Sequence, residues 1–213
     1  MTNLKDLAMQ EMEKTSSIIL GYPWHDAKAY GMWLSQTYYM VCHSTRLVAL
    51  AGAYCALDKN VLHARFVDHS KEERGHEKVC VADVQALGYQ LNDFPQLYQS
   101  AAMYQVQYYW IQHRHPTSFF GYTLALECLA ATFGPRLHQM VNDAHGPKAS
   151  RFLKLHSEDD VEHTQAAYEQ IKSLGEAEQL LVKENLLLSS EIYRAMLIDS
   201  KARSSGLTIK KAA

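Results

Sequence analysis

The run TSFFGYTLALECLAATFGP, residues 117–135, decides the fold. It is the most apolar stretch of the chain and is long enough for about five helical turns. Two glycines and the carboxylate of Glu127 make it a poor membrane span. The reading is a helix buried in a bundle. Glu127 is the only charged residue between Arg114 and Arg136. In that setting its side chain faces a core, where an unpaired charge is very costly. Its partner must therefore come from another helix: either a cation, with Arg46 the obvious candidate, or a metal ion gripped by further side chains.

Outward from this run, helical periodicity and breakers divide the chain. A first helix covers about 4–19 and stops at Gly21-Tyr22-Pro23. Asp26 can cap a long helix to about residue 57. Another runs from about 60 to 87 and ends at Gly88. Pro95 stands near the start of the next, which reaches about 113. The apolar helix extends to about 143, with a kink expected at Gly134-Pro135. Two more follow, from Gly146-Pro147 to about 174 and from Glu176 to about 200. Long helices with short connections predict an all-α antiparallel bundle over residues 1–200, with a frayed basic tail over 201–213.

Composition agrees. Only 10 Gly and 5 Pro occur in 213 residues, too few turn-formers for a sandwich or barrel. A net charge of −2 leaves no positive excess to track phosphates, which argues against nucleic acid. The four cysteines form no CxxC pair, and the first twenty residues lack the apolar core of a signal peptide. The expectation is a cytoplasmic protein with no membrane partner.

The chemistry sits on two helices with one shared spacing. In His156-Ser-Glu-Asp-Asp160-Val-Glu-His163, a rotation of about 100° per residue puts His156, Asp160 and His163 on one narrow stripe. Glu158 and Glu162 point the other way. His69-Ser-Lys-Glu-Glu73-Arg-Gly-His76 repeats the spacing, and Glu73-x-x-His76 is the pair that di-metal bundles turn toward their core. With Glu127, three carboxylates and three imidazoles from three helices can hold two metals with positions left open. Mixed nitrogen and oxygen ligation of this kind suits iron or manganese doing oxygen chemistry. A ferritin-like site would add a Glu from a fourth helix, but residues 26–57 contain none.

On these marks, together with Asp83-Val-Gln-Ala-Leu-Gly88, the chain resembles the haem-oxygenase-like di-iron oxidases and oxygenases, the iron-containing redox enzymes. The resemblance implies a seven-helix bundle, a homodimer, and two Fe(II) ions or an Fe/Mn pair. Their ligands would be Glu73, His76, Glu127, His156, Asp160 and His163. Glu72 is an alternative to Glu73, and His69 is expected just outside the ligands. The resemblance further implies O2 as co-substrate, an external electron donor, and a small-molecule substrate of specialised metabolism: an amino acid, amine or fatty acid. Oxidation of C–H or C–C bonds is favoured over N-oxygenation. One branch consumes its own tyrosine to make an aminobenzoate and keeps a lysine ten residues after the Glu that matches Glu127; position 137 here is leucine.

Further expectations follow. Gln36, Tyr39, His43 and Arg46 form a polar stripe that would line the substrate pocket if it faces the metals, with Arg46 holding a carboxylate. Tyr104, Tyr108, Tyr109 and Tyr122 are expected in the core with bonded hydroxyls. Other readings of the same fold are a haem oxygenase with His25 or His43 as axial ligand, and a metal-independent thiaminase-like enzyme with Cys128 as nucleophile.

Overall fold

A computed structural model describes residues 3–206, except for the side chains of residues 158–163 and 166. The described residues form nine α-helices: α1 Leu4–Leu20, α2 Ala27–Val41, α3 Ser44–Ala53, α4 Asn60–Glu72, α5 His76–Ala86, α6 Tyr98–His113, α7 Phe119–His145, α8 Arg151–Lys172 and α9 Glu176–Gly206. Short 3-10 turns at Leu91–Asp93 and Pro116–Ser118 precede α6 and α7. The helix starts follow local chemistry. Asn3 Oδ1 accepts from the Asp6 N–H, and Asp26 Oδ1 accepts from the N–H groups of Lys28 and Ala29.

Two of the expected helices are each broken in two; with each broken pair counted as one, the bundle has seven. Between α2 and α3 the backbone tightens at Cys42-His43, where the His43 N–H bonds the Met40 carbonyl. Between α4 and α5 the chain turns at Gly75, whose φ of 100° is a left-handed conformation that side chains with a Cβ resist. The single helix expected over about 60–87 is therefore two.

The apolar run forms α7 as one continuous helix that retains Pro135. It packs on α8 and α9 and is the centre of the core. Gly121 makes that possible: a Cβ there would lie 2.4 Å from the Val182 carbonyl oxygen and 2.5 Å from the Leu186 nitrogen. On the other side, α2 packs between α5 and α9. The last helix runs to Gly206, past the expected start of the tail, and Lys201 there donates to the Gly21 carbonyl. No described helix is long and apolar enough to cross a membrane.

Candidate functional site

The break at Gly75 sets the site. Glu73 is the residue that closes α4, and His76 opens α5. The two therefore do not share a helical stripe, yet the turn brings them together. Glu73 Oε2 lies 3.7 Å from His76 Nδ1, while Oε1 lies 3.5 Å from His69 Nε2, one turn back on α4. His69 Nε2 also lies 3.7 Å from Glu127 Oε1, so one imidazole stands between two carboxylates from separate helices. His156 of α8 joins edge-on to His76, with ring centroids 5.0 Å apart, and packs against Phe152 at 4.4 Å.

His69 and Glu127 are buried, at 5% and 7% exposed, and Glu73, His76 and His156 are partly buried. Burial pushes the Glu73 carboxyl up, but the imidazoles of His69, His156 and His76 outweigh it and hold the group below the usual carboxylate range. Glu73 is thus kept as an anion, the form a metal needs.

A clamp from α5 fixes the start of α8. Asp83, fully buried, accepts from the Phe152 N–H at 2.8 Å and from Arg151 Nε at 2.9 Å. It satisfies an N–H of the first turn that no helical carbonyl can reach. His156 follows one turn later. This is the role the structure gives to the Asp83 segment.

Glu127, Glu73, His69 and His156 form part of the wall of a chamber. The rest is mainly apolar, with Trp33, Met40, Val48, Phe119, Leu129 and Phe152 among its residues. It offers about 110 Å³ to the centre of a water-sized sphere. One water needs roughly 10–15 Å³ on that measure, so an organic molecule fits, not merely dioxygen.

The structure separates several of the candidates. Glu73, His76, Glu127 and His156 come together. Glu72 is half-exposed and lies 3.5 Å from Arg65, so Glu73 is the one that joins the cluster. His69 stands beside two of these carboxylates, 3.5 Å from Glu73 and 3.7 Å from Glu127. The side chains of Asp160 and His163 lie outside the described residues. Arg46 does not neutralise Glu127: it is exposed and donates to the Cys42 carbonyl.

The stripe expected to line the pocket turns away from it. Gln36 accepts from the Leu97 N–H and Ser100 hydroxyl and donates to the Pro95 carbonyl. Tyr39 donates to the Phe94 carbonyl. His43 stacks on Tyr104 at 3.8 Å and meets the Tyr108 hydroxyl at 3.0 Å. These residues bind α2 and α3 to the segment entering α6. The α2 residues that face the chamber are Trp33, Thr37, Met40 and Val41, a face that reads as ordinary apolar core. Of the tyrosines, Tyr109 is exposed, and the buried Tyr122 hydroxyl has no partner among the described residues.

The donor set fits iron in kind. Donors sharing one ion at about 2.0–2.2 Å would sit about 3 Å apart, so Glu73 Oε2 and His76 Nδ1, 3.7 Å apart, need only small rotamer shifts. Among the described residues, no group of three or more His, Cys, Asp or Glu is already drawn in as a metal cage.

A family model described as iron-containing redox enzyme matches residues 32–186. Among solved structures, a domain of unknown function with a heme oxygenase-like fold from Shewanella denitrificans OS217 superposes with a TM-score of 0.84 at 18% identity, over 96% of this chain and 94% of that one. A TenA homologue from Pseudomonas syringae pv. tomato gives 0.74 at 11% identity, covering 91% and 90%. A TenA homologue from Pyrococcus furiosus gives 0.66 at 15%, covering 91% and 99%. At these identities the likeness establishes the fold, which is heme oxygenase-like. No curated protein matches the chain.

Proposed function

The chain belongs to the iron-containing redox enzymes, and from that premise we propose that it is a non-haem di-iron oxidase or oxygenase acting with O2 on an apolar small molecule. One observation carries the reading: Glu73 and Glu127, from separate helices, converge on His69 in the wall of an apolar chamber, with His76 and His156 beside them. Glu73, His76, Glu127 and His156 would hold two iron ions, or an Fe/Mn pair, with Asp160 and His163 completing the set from α8. Bound iron supplies the redox chemistry toward dioxygen, with electrons from an external donor.

The chain's own part is separable from that chemistry. Glu73 and Glu127 bring two negative charges to a site whose desolvation would otherwise expel a cation. Metal competes with protons for imidazole and carboxylate ligands, so loading releases protons and strengthens as pH rises. The apolar walls exclude water and orient a hydrocarbon portion of the substrate near the cluster, which favours C–H or C–C oxidation. Leu137, in the chamber wall, stands where the aminobenzoate-forming branch keeps its lysine. Cys128 is not among the chamber's lining residues, and its thiol meets the Tyr168 hydroxyl at 3.4 Å, which disfavours a nucleophile there.

The test is an anaerobic Fe(II) titration followed by oxygen. Close to two ions per chain should bind, and oxygen uptake should depend on them. A plateau at zero, or activity untouched by strict chelation, would overturn the reading.

A further inference from the structure

Two of the thiols each bond a backbone carbonyl one turn back: Cys42 Sγ donates to the Tyr39 carbonyl at 3.5 Å and Cys55 Sγ to the Ala51 carbonyl at 3.3 Å. Cys128 differs. Its Sγ lies 3.4 Å from the Tyr168 hydroxyl, across the packed faces of α7 and α8. The thiol is buried, at 6% exposed, and the phenol is partly buried. The pair adjoins the proposed ligands. Cys128 follows Glu127 on α7. Burial first, then the Cys128 thiol and the Glu127 charge, push the Tyr168 phenol up, which puts the ring within electrostatic reach of the site. Thiols and phenols are among the side chains most readily oxidised. The ring carbon ortho to a phenol hydroxyl is two bonds from its oxygen, so a sulfur that meets the oxygen at 3.4 Å is close to that edge of the ring.

We propose that Cys128 and Tyr168 are a modification site, joined by a thioether between Sγ and the ring carbon ortho to the hydroxyl, with dioxygen consumed at the iron site in the absence of substrate as the oxidant. The S–H bond and one ring C–H bond break, and one C–S bond forms. The two electrons and two protons released pass to dioxygen, which leaves as hydrogen peroxide. Oxidation of the phenol spreads unpaired spin onto its ortho carbons, and sulfur adds there. The link ties α7 to α8, the helices that carry Glu127 and His156, and so stiffens the ligand frame. The inference rests on the reading that this site reduces dioxygen, and it adds a residue pair that reading does not use.

The test compares three samples: metal-free protein kept anaerobic, metal-free protein in air, and protein loaded with Fe(II) and then exposed to air. Only the loaded sample should become lighter by two hydrogen atoms. Its thiols reactive to maleimide in denaturant should fall from four to three. Tryptic peptides 115–136 and 155–172 should appear joined, and should stay joined in reductant, which separates a thioether from a disulfide. After the iron is chelated, its melting temperature should be several degrees higher, because a link between residues 128 and 168 constrains the unfolded chain. Cys128→Ala and Tyr168→Phe should bind iron as wild type does and keep the mass of their sequences; phenylalanine retains the ring carbon but not the oxidisable hydroxyl. Wild-type protein that takes up iron and oxygen yet keeps its full mass and four thiols would overturn the proposal and leave the iron reading intact. So would oxygen atoms added to Cys128 without joined peptides, an equal link in metal-free protein in air, or a link in Tyr168→Phe. Protein that binds no iron and stays unlinked overturns both readings, and the iron count tells the two failures apart.

Discussion

Two regions of the bundle bury carboxylates and treat them differently. On the outer side, Glu11 of α1 is 1% exposed and meets Lys14 Nζ at 2.6 Å and Arg194 Nη1 at 2.7 Å. In the interior, Glu73 and Glu127 meet imidazoles at 3.5–3.7 Å. The desolvation problem is the same. Ammonium and guanidinium are permanent cations, so the Glu11 cluster is satisfied once the chain folds and ties α1 to α9. Imidazoles shed their protons near neutral pH, so the interior pair is satisfied in a way that can be exchanged for a metal.

The comparison breaks most sharply by exchanging effects between the two regions. His156→Ala or Glu127→Gln should abolish iron binding and iron-dependent turnover, with helical circular dichroism largely retained, while Glu11→Gln should bind iron as wild type does. Loss of iron from Glu11→Gln, or normal loading in either interior variant, would erase the distinction. Next in size, Arg194→Met leaves a buried charge half-compensated and should cost about 3 kcal/mol in urea unfolding with iron stoichiometry unchanged.

Gly75→Ala forces a Cβ onto a left-handed residue and should cost about 1–2 kcal/mol. It should also weaken iron binding, since that turn sets Glu73 against His76. The smallest effect concerns acid. Burial pushes Glu11 up, but Lys14 and Arg194 outweigh it and hold it below its ordinary value of 4.5. Its contribution is therefore complete above about pH 4.5 and is lost as pH falls through the folded value. In Glu11→Gln the decline of unfolding free energy below pH 4.5 should be shallower; an unchanged slope would mean that the ion pair contributes nothing.

The helices were legible because their apolar faces are long and periodic, and the Glu127 argument needed only one charge in an apolar run. Four members of the cluster followed from spacing. What spacing could not give was the effect of two short interruptions. Extending α2 through Cys42-His43 made Gln36, Tyr39, His43 and Arg46 look like one stripe, whereas Gln36 and Tyr39 bind the entry to α6, His43 meets α6 itself and Arg46 is exposed. Reading residues 60–87 as one helix hid the turn at Gly75 that sets Glu73 against His76. The chamber face of α2 was unreadable for a different reason: Trp33, Met40 and Val41 carry no signal beyond core filling, and the hydroxyl of Thr37 is ambiguous without its surroundings.

The Asp83 clamp has a consequence for how far apart the two imidazoles can stand. His76 begins the helix that carries Asp83, and His156 lies just beyond the backbone group that Asp83 grips. The spacing of these two proposed ligands is therefore governed by a brace that is not itself proposed to bind metal. Substituting Asp83 by Ala would alter the bite of the site from a distance, so tuning of metal affinity by this chain need not touch any residue that meets the ions.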